Sequence, residues 1–201
     1  MKKLLLTSAI IMVAGVANAA INPYVSLKGG YSDKSLTIGY DPSLGLPDAT
    51  ERGLTGFTGA AAFGGAYAVH PVVTLRGELE YSYSQTEGTI GTLDWTFKQN
   101  TFSLNAYADF GDASWVVKPY VGLGAGFGTG NFGTKFGYLN LDDAFAYSIM
   151  AGVAYAIDSN WAIDLGAKYS SWLTSTPISD VGPLDLTLSG WTFLLGARYS
   201  F

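Results

Sequence analysis

The sequence contains no cysteine and only one histidine, His70, among its 201 residues. A disulfide scaffold, a thiolate metal site, a cysteine nucleophile and a histidine-clustered metal site are therefore excluded. Charged residues are also scarce, at 13% of the chain, which is about half the usual share in a globular protein. Since 11 Lys and Arg stand against 16 Asp and Glu, the acidic balance disfavours nucleic acid as a partner.

Long apolar runs are missing as well. Beyond the N-terminus, no stretch approaches the roughly 18 consecutive apolar residues that a membrane-spanning helix needs. The mean hydropathy is nevertheless +0.22, and the chain holds 26 glycines and 14% aromatic residues. An apolar chain that is rich in glycine and aromatics, yet lacks spanning helices, is typical of a transmembrane β-barrel.

The N-terminal segment has the pattern of a secretory signal peptide. Lys2 and Lys3 precede an apolar stretch that ends at Ala14, and Ala17-Asn18-Ala19 is a small-x-small cleavage motif. The apolar stretch is too short to favour a retained membrane anchor. The pattern predicts a signal peptide over residues 1–19, cleavage between Ala19 and Ala20, and one barrel domain over residues 20–201.

Polar and apolar residues alternate with a period of two in eight segments of the remaining chain. Short and long connections alternate between these segments, as periplasmic turns and extracellular loops do in outer-membrane barrels. The sequence therefore predicts an all-β fold, an eight-stranded antiparallel up-and-down transmembrane β-barrel with both termini on the periplasmic side. The predicted strands are 23–32, 56–69, 72–85, 97–110, 117–128, 144–157, 160–172 and 188–201, and the predicted long loops are 33–55, 86–96, 129–143 and 173–187.

The positions of the aromatic residues separate this prediction from a soluble β-sandwich, which also alternates. Aromatics occur at both ends of the apolar strand faces, as the interfacial belts of a membrane barrel require. The predicted periplasmic belt comprises Phe110, Tyr155, Trp161, Tyr199 and Phe201, and the predicted outer belt comprises Tyr31, Phe57, Tyr83, Tyr169 and Trp191.

Eight charged residues fall at inward-facing strand positions, with four of each sign. An eight-stranded barrel encloses only enough room for side chains, and unpaired charges there would be costly, so we expect mutual ion pairing. We expect Arg198 to contact Asp164, with Arg76 and Asp109 close by. A proton or ion path is one interpretation, and a structural salt-bridge core that fills the barrel is the favoured one. The predicted network comprises Lys28, Arg76, Glu78, Glu80, Asp109, Asp164, Lys168 and Arg198.

The predicted long loops carry most of the remaining charge, with three basic residues against ten acidic ones. An acidic exterior repels anionic partners and attracts cationic ones, although it also simply keeps loops solvated. Apolar residues such as Phe132 interrupt these polar loops. The loop charges are Lys34, Arg52 and Lys135 against Asp33, Asp41, Asp48, Glu51, Glu87, Asp94, Asp142, Asp143, Asp180 and Asp185.

No catalytic constellation can be assembled from the sequence. His70 precedes Pro71 in a short turn and has no serine–acid partners in the sequence pattern. Asp142 and Asp143 lie in a predicted loop without the ligand spacing of a calcium site. The sequence therefore predicts no enzyme, with no catalytic residue, no cofactor and no bound metal.

Three segments carry a resemblance to a known family. The segments "SLNAYADF" (103–110) and "KPYVGLGAGFG" (118–128) resemble the fourth and fifth strands of opacity-protein-like outer-membrane β-barrels, which are akin to the transmembrane domain of OmpA. The closing "LLGARYSF" is similar to the signal that the barrel-assembly machinery reads, an outward aromatic at every second residue with a terminal Phe. The matching residues are Trp191, Phe193, Tyr199 and Phe201.

The resemblance implies an outer-membrane location in a Gram-negative bacterium, export through the cleaved signal peptide, and insertion by the barrel-assembly machinery. It also implies contact with membrane lipid and lipopolysaccharide. Family members include adhesins, surface antigens and barrels of unknown role, so we expect a structural, adhesive or surface-antigen function, with a host or surface ligand on the loops. A small narrow pore is the alternative, and an enzyme such as a barrel protease or acyltransferase is disfavoured.

Overall fold

The computed structural model describes residues 21–39, 49–90, 93–112, 114–134, 137–178 and 182–201. The predicted signal peptide, with its cleavage site between Ala19 and Ala20, lies outside these residues. So do Asp41, Asp48, Lys135 and Asp180 of the predicted loops. The described part of the chain contains no helix that is long and apolar enough to cross a membrane.

Eight antiparallel strands form a closed barrel in which each strand pairs with its neighbours in sequence and the last pairs with the first. This confirms the predicted fold class. The period-two alternation gives the barrel its two faces, since one face of each strand is apolar and the other is polar or small. The strands are β1 (Asn22–Gly39), β2 (Ala49–His70), β3 (Val73–Ile90), β4 (Leu93–Phe110), β5 (Val117–Thr134), β6 (Gly137–Ala156), β7 (Trp161–Ile178) and β8 (Gly182–Ser200).

The first strand begins and the last strand ends at the same end of the barrel. We call this the lower end, and we call the opposite end the upper end. At the lower end the strands begin and finish within two residues of their predicted limits. At the upper end the prediction of long loops is wrong, because the strands continue through most of residues 33–55, 86–96, 129–143 and 173–187. Polar outward residues interrupt the apolar pattern there, although the backbone remains paired.

A β-bulge accommodates this extension in the first strand pair. The register between β1 and β2 shifts after Lys34, which pairs with Leu54, while Ser35 pairs with Arg52. The extra residue is Gly53, whose φ of 83° lies in the left-handed region that favours glycine. The bulge lets both strands continue upward without reversing their inward and outward faces.

Large apolar side chains cover the outside of the barrel. Leu27, Leu79, Leu123 and Phe127 are each more than 60% exposed on this face, which only a lipid environment would accommodate over so large an area. Aromatic residues bracket the apolar band. At the lower edge the rings of Trp161, Tyr199 and Phe201 are in contact, with centroids 5.0 and 5.3 Å apart, and at the upper edge Tyr169 lies 5.3 Å from Trp191.

Two short turns at the lower end are each organised by one aspartate. Oδ1 of Asp158 accepts hydrogen bonds from the backbone N–H groups of Trp161 at 2.7 Å and of Asn160 at 2.8 Å. Because both bonds favour the carboxylate, they lower the pKa of Asp158. Asp112 accepts from the hydroxyl and the backbone N–H of Ser114 at 2.5 and 2.7 Å, and these bonds lower its pKa as well.

Candidate functional site

The lower layer of the lumen is an arginine–aspartate cluster on β3, β4, β7 and β8. Nε of Arg76 donates to Oδ2 of Asp109 at 2.7 Å, and Nη2 of Arg198 lies 3.3 Å from Oδ1 of Asp164. Nη1 of Arg198 also lies 3.7 Å from the Asp109 carboxylate. The pair expected from the sequence between Arg198 and Asp164 is therefore present, and the four side chains form one connected group.

A second layer of ion pairs lies directly above this cluster. Nζ of Lys28 donates to Glu78 at 2.7 Å and to Glu80 at 2.8 Å, so that one lysine bridges two carboxylates. Lys168 contacts the other oxygen of Glu80 at 2.9 Å. Nη1 of Arg76 lies 3.3 Å from Glu78 and connects the two layers. All eight residues of the predicted network thus lie inside the barrel and contact one another.

Tyrosine rings fill the space between these charges. The guanidinium of Arg76 lies 4.5 Å from the ring centroid of Tyr107 and 5.3 Å from that of Tyr120, within cation–π distance. The hydroxyl of Tyr24 donates to Glu78 at 3.0 Å. Glycines make room for the rings, since a Cβ at Gly64 would lie 2.7 Å from the Tyr24 ring. The sequence analysis assigned no role to these three tyrosines.

A belt of hydroxyl groups crosses the lumen above the ion pairs. Ser32 shares hydrogen bonds with Thr58 at 2.6 Å and with Thr192 at 2.9 Å. The Thr58 hydroxyl donates to Ser84 at 2.9 Å. These short neutral side chains satisfy one another and pack the interior where the larger charged side chains end.

Lys34 corrects the predicted charge balance. It was expected to be a loop residue, but β1 continues through it and the alternation turns its side chain inward, where it is only 6% exposed. Its ammonium donates to Gln99 at 2.6 Å and to Ser84 at 3.3 Å. Lys34 therefore adds a fifth buried cation to the four cations and four carboxylates of the predicted network.

The upper part of the lumen is closed by an apolar cluster that the sequence analysis missed. Phe97 contacts Phe132 and Trp172, with ring centroids 5.5 and 5.7 Å apart. Phe132 was expected in a loop, yet it is buried in this cluster. A period of two continues through residues 33–39 and 126–132, but the apolar residues now face inward, so hydropathy alone did not assign these positions to strands. The buried members are Leu36, Leu54, Phe97, Phe132, Leu141, Ala144, Trp172, Leu186 and Leu188.

Little space remains inside the barrel. The larger cavity, between the ion pairs and the apolar cluster, has a volume of about 50 Å³, and the smaller one, beside Tyr107 and Tyr120, about 20 Å³. A cavity of about 10–15 Å³ admits one water, so each holds a few waters at most. The described residues include no group of three or more His, Asp or Glu side chains that could hold a metal ion. The arrangement buries and neutralises charge.

The residues of the predicted assembly signal lie on the outer surface of β8 and at the C-terminus. Trp191 and Phe193 are 48% and 57% exposed, and Tyr199 lies beside Phe201 at the lower edge. Phe201 is 68% exposed, and its backbone N–H donates to the carbonyl of Pro23 at 3.0 Å. The terminal residue is thus held by β1 while its ring faces outward.

Similarity to known proteins agrees with this architecture. The chain is 27% identical to outer membrane protein W of Vibrio cholerae over 209 aligned positions, covering 95% of this chain and 88% of the relative. Neisserial surface protein A has a similar fold, with a TM-score of 0.55, 17% identity, and 89% of this chain and 97% of that chain covered. The outer membrane protease OmpT of Escherichia coli gives a TM-score of 0.53 at 10% identity, with 93% and 100% covered.

The fold is thus shared by a protein named as a surface protein and by one named as a protease. Residues 4–201 match the family described as outer membrane protein beta-barrel domain. The chain therefore belongs to the outer-membrane β-barrel family and resides in the outer membrane of a Gram-negative bacterium.

Proposed function

We propose that the protein is a closed surface barrel whose upper end is extracellular. It acts through this end in an adhesive or surface-antigen role, rather than as a pore or an enzyme. The observation that carries this proposal is the filled lumen. Two layers of ion pairs, a hydroxyl belt and an apolar cluster occupy the interior in succession. The remaining cavities, of about 50 and 20 Å³, are far smaller than a channel needs.

The ion-pair network is then the structural core of the barrel. Each of its four carboxylates contacts at least one cation within 3.3 Å, so the network neutralises the charges that alternate residues of these strands place inside.

The extended upper strands provide the surface that a partner would meet. From Tyr31 in the outer aromatic belt, β1 continues to Gly39, and eight further residues at the usual rise and tilt of a barrel strand raise the rim about 20 Å above the belt. Among the residues whose side chains the structure describes, the solvent-accessible charges of this rim comprise five acidic and two basic residues, which favours a cationic partner surface. They are Asp33, Glu51, Glu87, Asp94 and Asp185 against Arg52 and Lys98.

The same proposal assigns export to the N-terminal segment and membrane assembly to outward aromatic residues of β8 and Phe201. Residues 1–19 would be removed between Ala19 and Ala20 after export, and the outward aromatics Trp191, Phe193, Tyr199 and Phe201 would be read by the barrel-assembly machinery. Lipopolysaccharide would contact the outer face above Tyr31, where polar side chains such as Glu87 and Lys98 follow the apolar band.

Two measurements on the purified, lipid-reconstituted protein test this function. Steady ion conductance across a planar bilayer should be absent, and its presence in the wild type would favour the pore. Binding to whole host cells or matrix proteins should be present and should fall when Glu87 and Asp94 are changed to lysine. Asp112→Lys, in a turn at the opposite end of the barrel, is the matched control and should bind normally. Equal binding by rim and control variants would contradict a role for the rim.

A further inference from the structure

Lys34 is a buried inward-facing cation with no carboxylate contact among the described residues. The four carboxylates of the lumen are engaged by Lys28, Arg76, Lys168 and Arg198. Glu80 is the carboxylate that borders the same cavity as Lys34, but its two oxygens already accept from Lys28 at 2.8 Å and from Lys168 at 2.9 Å. In the described part of the chain, the charge of Lys34 is therefore uncompensated, which is costly in so enclosed a space.

The hydrogen bonds of Lys34 do not remove this excess. Its ammonium group has three N–H donors, and the described residues provide two neutral acceptors, Gln99 at 2.6 Å and Ser84 at 3.3 Å. One donor and the whole unit of charge remain without a counterpart. The apolar cluster directly above, with Leu36 and Leu54, separates it from bulk water.

Other unused donors border the same space. Lys34 and Lys168 both line the cavity of about 50 Å³, together with Trp172 and Ser103. The indole Nε1 of Trp172 and the hydroxyl of Ser103 are buried and lack a hydrogen-bond partner in the described part of the chain. Trp172 is only 4% exposed, and an indole N–H can act only as a donor. Two cations and two unpartnered groups that can donate thus surround one small cavity.

We propose that this cavity is a binding site for a small inorganic anion of the halide class, held between Lys34 and Lys168. An anion there would compensate the fifth cation and accept from donors that otherwise have no acceptor. The volume, which corresponds to a few water molecules at most, restricts the ligand to a monoatomic or similarly small ion. Because the cavity is closed above and below, the anion would be a resident part of the core rather than a permeating ion.

The first experiment measures the urea unfolding midpoint of the refolded protein in a neutral detergent, with chloride replacing the bulky gluconate ion at constant ionic strength. The wild-type midpoint should rise with the logarithm of the chloride concentration, because a ligand of the native state stabilises it by mass action. Lys34→Met should lose this dependence. Lys98→Met, an exposed lysine on the outer face of β4, is the matched control and should retain it.

If Lys34→Met fails to fold, a second variant and a direct probe for the anion still test the proposal. Trp172→Phe keeps an aromatic ring but removes the indole donor, so about tenfold more chloride should be needed for the same rise. Crystals soaked in bromide should show an anomalous peak beside Nζ of Lys34. A wild-type midpoint that is equal in chloride and gluconate, an unchanged chloride response in Lys34→Met, or no bromide at Lys34 would each overturn the proposal. In those cases the cavity would hold water only.

Discussion

The side chain of Arg76 donates a 2.7 Å hydrogen bond to Oδ2 of Asp109, and the same carboxylate oxygen lies 3.7 Å from Arg198. Arg198 in turn contacts Asp164 at 3.3 Å. Asp109 therefore connects two arginines that lie far apart in the sequence, Arg76 on β3 and Arg198 on β8. This arrangement ranks the two pairs, because the shorter and better buried contact should be the more strongly coupled one.

The first prediction is that Arg76–Asp109 is coupled more strongly than Arg198–Asp164. Each single change to alanine should lower the free energy of unfolding by about 3–5 kcal/mol, since the abandoned partner remains as a buried charge. Each double variant should lose less than the sum of its two singles, with the larger difference for Arg76 and Asp109. Urea unfolding of both double-mutant cycles measures this.

Arg52→Ala is the control for these cycles. Arg52 is exposed on the upper rim, so its removal should change the free energy of unfolding by only about 0.5 kcal/mol. Strictly additive losses in both cycles would contradict the pairing, and a larger coupling for Arg198 and Asp164 would contradict the ranking.

The second prediction concerns the contact between Gly166 and Tyr120. A Cβ at Gly166 would overlap the Tyr120 hydroxyl, whereas the next atom of that ring would be 3.3 Å away. Gly166→Ala should therefore lower the free energy of unfolding by about 1–3 kcal/mol, as overpacked core positions do. Adding Tyr120→Phe removes the overlapping oxygen and should restore most of the loss.

Thermal or urea unfolding of the two single variants and the double variant tests this rescue. Gly152→Ala is the informative comparison, because its Cβ would also overlap the backbone carbonyl of Leu165. Tyr120→Phe should therefore not rescue Gly152→Ala. Equal rescue of both variants, or rescue of neither, would show that the Tyr120 hydroxyl is not the limiting contact.

The sequence predicted the barrel well because its information is carried by a simple period. Lipid selects apolar outward residues, so the alternation in β7 and β8 predicted both the faces and the pairing of Arg198 with Asp164. The upper strand ends could not be recognised in the same way. Above the aromatic belt the outward residues face water and are polar, whereas many inward residues are apolar. The difference in hydropathy between the two faces is therefore the reverse of that in the membrane.

Lys34 and Phe132 show the consequence of that change. Both lie above the belt, where a polar outward residue next to an apolar inward one resembles an irregular loop. Their inward orientation depends on backbone pairing with β2 and β4, which hydropathy does not report. The small apolar cluster and the fifth inward cation therefore required the register of the strands.

The third prediction concerns membrane assembly. The Phe201 ring is exposed at the lower edge, whereas its backbone N–H is held by Pro23. Phe201→Ala should reduce the amount of protein in the outer membrane of cells, while refolding in detergent should remain close to that of the wild type. Cell fractionation and the refolding yield measure the two effects separately.

Phe127→Ala provides the control for this experiment, since Phe127 is equally exposed, at 68%, but lies on β5 away from the C-terminus. It should assemble in cells at nearly wild-type levels. Normal cellular levels of Phe201→Ala would show that the terminal aromatic is not a required signal, and a parallel failure to refold would assign its role to stability.

The last prediction is a pH dependence of stability at the lower turn. The backbone N–H groups of Trp161 and Asn160 lower the pKa of Asp158 from its usual value of 3.8 in the folded protein. A group whose pKa is lowered by folding stabilises the protein above its usual pKa, and the contribution is lost as the pH falls through the folded-state value. Asp158→Ala should therefore be less stable than the wild type at pH 7, and the difference should shrink as the pH falls below about 4.

Ser159→Ala, a change in the same turn without an ionisable group, should differ from the wild type by a constant amount across this range. Urea unfolding of the three proteins between pH 7 and pH 2 measures these differences, and a difference for Asp158→Ala that stays constant or grows in acid would show that the aspartate does not act through its charge.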